Sequence, residues 1–314
     1  MDNFWSGKKV LLTGGSGFLG SHVLDEFGRK GISNIVVPES KGWNLTSEWR
    51  AAELFRAVRP DIVIHLAARV GGIQANMENP APFFHENLMM GVNVLESSRR
   101  YGVKKVVLIG TTCSYPKFGA IPFSEENFWE GYPEETNAPY GIAKKAIFEM
   151  GAAYHAQYGM SIIRLIPTNL FGERDHFDSK VSHVIPALIK KFVDAKEQNL
   201  GFVDVWGDGT VSREFLYVKD CAEAIVMATE KYNEIDLVNI GAGFEMPISV
   251  LARKISEIVG FYGTIEWEPF RPNGQPRRML NTERAERFFG WKATTPFDEG
   301  LRRTIRWYLA HRVA

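Results

Sequence analysis

Short β-branched runs alternate with longer stretches of helical period through the first half of the chain. They run from Lys9 to Leu12 and then Gly17 to Lys30, followed by runs at Asn34 to Val37, Asp61 to His65, Val106 to Ile109 and Ser161 to Leu165. Helix-length segments between strands make crossover connections, and crossovers leave the strands parallel. The segments DIVIHLAA and KVVLIG are apolar without period-two alternation, as expected of strands covered by helices on both faces. The expectation is an α/β protein built on a doubly wound parallel sheet. From about Asn169 the texture shifts to loops, aromatics and arginines, with a Pro and Gly cluster from Glu268 to Pro276. A strand from Phe215 to Val218 and a helix from Asp220 to Lys231 then read as a return to the large sheet.

Composition narrows what such a fold can do. The 37 Lys and Arg balance 37 Asp and Glu, which removes the electrostatic motive for binding nucleic acid or an anionic membrane surface. Two cysteines in 314 residues, Cys113 and Cys221, point to a reducing compartment rather than a disulfide scaffold. Cys221 lies within a helical stretch and reads as core. The N-terminus lacks a basic segment followed by an apolar stretch, and no apolar run reaches about 18 residues. A soluble, cytoplasmic protein with no membrane, nucleic-acid or metal partner is expected.

After the first strand comes Thr13-Gly14-Gly15-Ser16-Gly17-Phe18-Leu19-Gly20, leading into a helix. Glycines spaced as Gly14, Gly17 and Gly20 permit a tight turn, a close approach of backbone N–H groups to a pyrophosphate, and a helix packed against its strand. In that context the loop reads as a dinucleotide site of Rossmann type, with Gly14, Gly17, Phe18 and Gly20 as contacts. Glu39 follows the second strand, 19 positions after Gly20, where a carboxylate can accept from ribose hydroxyls and repel a 2′-phosphate. Ser40 and Lys41 can instead hold that phosphate. The spacing of Glu39 favours NAD(H) over NADP(H). Ala67, at the end of the third apolar run, is small enough to admit the pyrophosphate, and His65 reads as a packing residue. The expected division is a dinucleotide-binding domain of residues 1–168 and 214–242, and a smaller, discontinuous C-terminal substrate domain of residues 169–213 and 243–314.

Tyr140 and Lys144 stand four residues apart, on one face of a helix opened by Pro139. An ammonium beside a phenol favours phenolate, so the pair reads as a proton relay in which Lys144 lowers the tyrosine pKa. Upstream, the run Val106 to Ile109 ends in Gly110-Thr111-Thr112-Cys113-Ser114, placing hydroxyls and a thiol at the carboxyl edge of the sheet, where open α/β folds bind ligands. Taken alone, Cys113 is a small buried residue and His183 a satisfied loop histidine.

With these residues in hand, the chain resembles the extended short-chain dehydrogenase/reductase family across essentially its whole length. The likeness is carried by HLAARVGGI at 65–73, NLMMGVNVLESS at 87–98, GTTCSYPK at 110–117, NAPYGIAK at 137–144, IPTNLFG at 166–172, SHVIPALIKKF at 182–192, VWGDGTVSREFLYVKD at 205–220 and RPNGQPRRML at 271–280. It is strongest to members that epimerise and reduce GDP-linked 4-keto-6-deoxy sugars. Dehydratases of the family carry an Asp-Glu pair after the strand-end Thr, whereas here Thr112 is followed by Cys113. The resemblance implies that Tyr140 is the general acid, that Lys144 binds the nicotinamide ribose, and that Thr111, where relatives usually have Ser, holds the 4-keto oxygen. It also implies that Cys113 and His183 exchange the protons on C3 and C5, which the neighbouring ketone acidifies.

The remaining polar residues fit a sugar nucleotide: Asn169 by the sugar or diphosphate, Lys191, Arg213 and Arg277 as diphosphate partners, and Trp206 as a flat apolar surface. Two other enzymatic readings remain open, a 4-reductase acting on a related GDP-keto-sugar such as a heptose, and a 4-epimerase that retains NAD. A regulator that keeps the fold without the chemistry fits poorly with the intact set Thr111, Cys113, Tyr140, Lys144 and His183. Helices around Pro82 to Arg100 and Tyr140 to Tyr158 carry apolar residues on more than one face, as in relatives that pair such helices into a homodimer.

Overall fold

The computed structural model describes residues 4–178, 182–271 and 274–312. Its first half runs β1 (Val10–Thr13), α1 (Phe18–Arg29), β2 (Ile35–Val36), α2 (Glu48–Val58) and β3 (Ile62–His65). It continues through α3 (Ile73–Glu78), α4 (Pro80–Arg100), β4 (Lys105–Ile109), α5 (Ala138–Tyr158) and β5 (Ile162–Pro167). The second half holds β6 (Asn169–Phe171), α6 (Val184–Glu197), β7 (Phe202–Trp206), β8 (Ser212–Tyr217), α7 (Val218–Lys231) and β9 (Leu237–Ile240). It ends with β10 (Glu245–Pro247), α8 (Ile248–Val259), β11 (Thr264–Glu268), α9 (Glu283–Phe289) and α10 (Phe297–His311).

Six strands form one parallel sheet in the order β2-β1-β3-β4-β5-β9. Every residue of β1, β3, β4, β5 and β9 is buried, which is why their sequences are mostly apolar without alternation, with the few polar residues, among them Lys105, Arg164 and Asn239, hydrogen-bonded inside. On one face, Val10, Leu12, Ile64 and Val107 pack with Val23 and Phe27 of α1 and Ile225 of α7. On the other, Leu11, Val63 and Leu108 pack with Leu54 and Phe55 of α2, Val94 of α4 and Ile147 of α5. The expected doubly wound sheet is therefore present, with its crevice at the carboxyl ends of β1 and β3, where the chain crosses from β2 over β1.

The second half differs from expectation in one place. The strand expected at Phe215 to Val218 is β8, which pairs with β6 and β10 in a small three-stranded sheet rather than returning to the large one. The sixth strand of the large sheet is β9, which pairs with β5 at Arg164↔Leu237 through Pro167↔Ile240. Both segments are short apolar runs, and only pairing distinguishes them; β8, the central strand of the small sheet, also carries Arg213 and Glu214, and the buried Glu214 carboxylate accepts from the backbone nitrogens of Ala242, Gly243 and Leu280. A third core, with Ile189 and Phe192 of α6 against Leu251 and Ile255 of α8, holds the smaller sheets together.

Candidate active site

The glycine loop is built by close approach. Gly14 has φ +72°, and a Cβ there would lie 2.6 Å from the backbone nitrogen of Ala67. A Cβ on Gly20 would lie 2.2 Å from the carbonyl oxygen of Gly14, so only glycine lets α1 start this near β1. Gly17 is the N-cap of α1 and carries no capping side chain, and Phe18 begins the helix. Its first-turn N–H groups therefore face the crevice, as an anion site requires. Thr13 Oγ1 lies 2.7 Å from His65 Nδ1 and 3.4 Å from the nitrogen of Ala67, joining the ends of β1 and β3. His65 Nε2 is buried with no hydrogen-bond partner, and burial pushes its imidazole down to about 3, with Lys144 adding to the effect. A turn that admits no Cβ at Gly14 or Gly20, an uncapped start of α1 and the orphaned nitrogen of His65 together fit a bound dinucleotide. Glu39, Ser40 and Lys41 are all exposed in the loop after β2. The carbonyl of Glu39 accepts from Gly42 and Trp43, which shapes the turn without directing its side chain.

At the end of β4, Thr111 caps a short 3-10 turn over Thr112–Ser114, its Oγ1 accepting from the nitrogen of Cys113 at 3.2 Å. Two contacts hold α5 against this turn. Ser114 Oγ donates to the carbonyl of Gly141 at 2.9 Å, and a Cβ on Gly141 would lie 2.4 Å from the carbonyl of Cys113. The sequence marked Ser114 only as one of the strand-end hydroxyls and gave Gly141 no role, although a glycine inside a helical stretch signals close packing. The contacts set Tyr140 beside the thiol: burial raises the phenol pKa and Cys113 raises it further. This corrects the expectation that Lys144 depresses it. The Lys144 ammonium is 6.0 Å from the Tyr140 ring centroid, and desolvation outweighs its influence. Lys144 is itself held down to about 8 by burial.

His183 is the N-cap of α6, with an accessible edge, and surrounding protein lowers its pKa, as does the charge of His176. The other expected substrate residues divide. Asn169 donates its amide to the carbonyl of Glu214 at 2.9 Å, and Lys191 donates to the carbonyl of Asp204 at 2.7 Å. Trp206 is partly exposed beneath Arg271, whose guanidinium lies 4.8 Å from its ring centroid, and with Ile73 and Met77 it lines a pocket of about 210 Å³. Arg213 is half-buried and pushed down to about 9, first by desolvation and then by Arg278. Arg277 turns outward to an ion pair with Glu245, while its neighbour Arg278 turns inward to Cys113. Among the described residues, no group of three or more His, Cys, Asp or Glu is arranged to hold a metal, and no helix is long and apolar enough to cross a membrane.

Residues 10–241 match the sequence profile of the NAD dependent epimerase/dehydratase family. The chain belongs to that family. As an epimerase/dehydratase chain of the extended short-chain dehydrogenase/reductase type, it is similar to the GDP-L-fucose synthase of Sinorhizobium fredii. The two are 39% identical over 305 residues, which cover 97% of this chain and 96% of that protein. Its fold is similar to a GDP-6-OMe-4-keto-L-xylo-heptose reductase from C. jejuni, with a TM-score of 0.91 at 27% identity, covering 97% of this chain and 98% of that one. A GDP-L-fucose synthetase from Naegleria fowleri bound to NADP superposes with a TM-score of 0.88 at 28% identity, covering 97% and 94%.

Proposed function

We propose that this protein is an NADP(H)-dependent enzyme that epimerises a GDP-4-keto-6-deoxy sugar at C3 and C5 and then reduces its C4 ketone. The observation that supports this reading is the approach of Gly141 to the Cys113 carbonyl, which brings the helix bearing Tyr140 and Lys144 against the turn bearing Thr111 and Cys113. When bound, NADPH would supply the hydride for C4. Tyr140, its phenol kept protonated by burial, gives its proton to the ketone oxygen, and the Thr111 hydroxyl orients that oxygen. Lys144 holds the nicotinamide ribose. Cys113 and His183 move protons on opposite faces of the sugar, with the 4-ketone stabilising the carbanion as an enolate. Arg213, Lys191, Trp206, Asn169 and Arg277 belong to the substrate side, in a domain of residues 169–213 and 243–314, with the dinucleotide on residues 1–168 and 214–242.

The cofactor reading moves from NAD(H) to NADP(H). A related structure holds NADP, and the exposed Glu39 has no side-chain contact among the described residues that would turn its carboxylate toward a ribose, while Ser40 and Lys41 stand beside it. A homodimer through the outer faces of α4 and α5, where Phe84 and Tyr158 are exposed, remains part of the reading; light scattering that finds only single-chain particles at micromolar concentration removes it.

The test is incubation with GDP-4-keto-6-deoxy-mannose in heavy water, with NADPH or NADH, and NMR of the product. Deuterium at C3 and C5, an inverted sugar and faster turnover with NADPH are expected. The likeness to a heptose reductase favours one second reading, reduction alone, which predicts a C4 alcohol with no deuterium on carbon.

A further inference from the structure

Arg278 is 5% exposed, and its described side-chain partners include no carboxylate. Among the described residues no carboxylate forms an ion pair with this buried guanidinium, an arrangement whose cost is large unless an anion completes it. Its Nη1 lies 3.4 Å from Cys113 Sγ. Its Nε donates to Gln275 Oε1 at 2.9 Å, and Gln275 Nε2 donates in turn to the carbonyls of Pro116 and Lys117 at 3.0 and 2.8 Å. The backbone segment that follows Cys113 therefore orients, through Gln275, the guanidinium that faces Cys113. The carbonyl of Arg278 accepts from Glu214 N at 3.0 Å, and Glu214 Oε2 accepts from Leu280 N at 2.8 Å, so the position is fixed from both sides. Arg213, whose charge repels that of Arg278, has the carboxylates of Glu134 and Glu245 among its electrostatic neighbours.

We propose that Arg278 is a positioning residue for the proton-transfer thiol, supplying the counter-charge for Cys113 when its sulfur is anionic. The proposal rests on the epimerase reading of Cys113. When sulfur takes the proton from carbon, the C–H pair moves into the enolate and an S–H bond forms; when sulfur returns a proton to the enolate, the S–H pair stays on sulfur as thiolate. In either direction sulfur is anionic at one end of the step, and a charge-assisted hydrogen bond from Nη1 is strongest there. A neutral side chain at 278 leaves that state without its partner.

Two measurements on the full chain test this. The first is the rate at which iodoacetamide alkylates Cys113 in substrate-free protein, with the fully buried Cys221 as an internal control. The second is deuterium wash-in at C3 and C5 of GDP-4-keto-6-deoxy-mannose with NADP⁺ present, so that reduction does not intervene. Arg278→Met is expected to lower both rates about 10- to 100-fold, the worth of one hydrogen bond to a charged group. Arg278→Lys, which keeps the charge, is expected to restore most of each, with NADP⁺ affinity unchanged in both variants. Alkylation at the wild-type rate in Arg278→Met overturns the proposal, including the case in which only substrate KM rises because Arg278 serves the diphosphate. Equal losses in the Met and Lys variants, or a parallel loss of NADP⁺ affinity, overturn it in favour of a structural role for the loop. If wild-type protein shows no wash-in while alkylation still answers to Arg278→Met, the pairing stands and the epimerase reading falls.

Discussion

Tyr140 shows how one side chain's environment selects its role. Burial, reinforced by the neighbouring Cys113, raises the phenol pKa, so at neutral pH the proton is on the oxygen, as the proposed reduction requires of its proton donor. Tyr140→Phe keeps the ring and its edge-on contact with Phe83 at 6.4 Å while removing the donor. Its reductase turnover is expected to fall about 10²- to 10⁴-fold, with NADP⁺ affinity close to wild type. Stopped-flow NADPH oxidation and a binding titration check both halves; turnover near wild type refutes the assigned role.

Among the elements, α5 is the one whose placement decides the chemistry. It opens at Ala138 with Pro139 in its first turn and carries Tyr140 and Lys144 on one face, but its distance from β4 is set by Gly141 and by the Ser114 bond to that glycine's carbonyl. Gly141→Ala places a methyl 2.4 Å from the Cys113 carbonyl, against backbone that cannot swing aside. The expected cost is about 1–3 kcal/mol of stability, as for other overpacked contacts, with a fall in kcat that exceeds any change in NADP⁺ affinity. Urea unfolding and steady-state kinetics measure the two; unchanged kcat means that the helix can move without disturbing the site. Elsewhere, Lys105 at the start of β4 donates to the carbonyls of Thr229 and Tyr232 and to Asn233 Oδ1, closing the end of α7. Burial still holds it down to about 8.

For the whole molecule, the large sheet ties stability to the protonation of groups sealed beneath the crevice. The unfolded chain binds a proton on His65 near the ordinary value of 6.5, and the fold refuses it until about 3. Between those values the unfolded state holds more protons, so stability falls as pH falls, by at most about 1.4 kcal/mol per pH unit from this residue. Above the ordinary value the contribution is flat. His65→Gln keeps a hydrogen-bonding amide near Thr13 and removes the titration. Its unfolding free energy, followed by urea titration from about pH 6 to about pH 4, is expected to decline less steeply than that of wild type. Parallel curves for the two proteins refute the assignment.

The sequence by itself determined the parallel sheet, because strands covered on both faces are mostly apolar and show no period-two alternation. It also determined the cofactor turn, because the left-handed φ of Gly14 and the contact of Gly20 with the Gly14 carbonyl arise within a single strand-turn-helix unit, and the shared face of Tyr140 and Lys144, because helical spacing places them there. Tertiary structure decided the rest. Phe215 to Tyr217 and Leu237 to Ile240 are both short apolar runs, and only the pairing of β9 with β5 shows which joins the large sheet. Lys144 was expected to depress the Tyr140 pKa from spacing alone, yet burial, a property of the assembled fold, sets the direction. Arg277 and Arg278 are chemically identical neighbours, and which one faces Cys113 depends on Glu245 and Gln275, brought there from other segments and by a turn of the loop itself. Local spacing is a property of the chain, whereas desolvation and the choice between equivalent partners exist only once distant segments have packed.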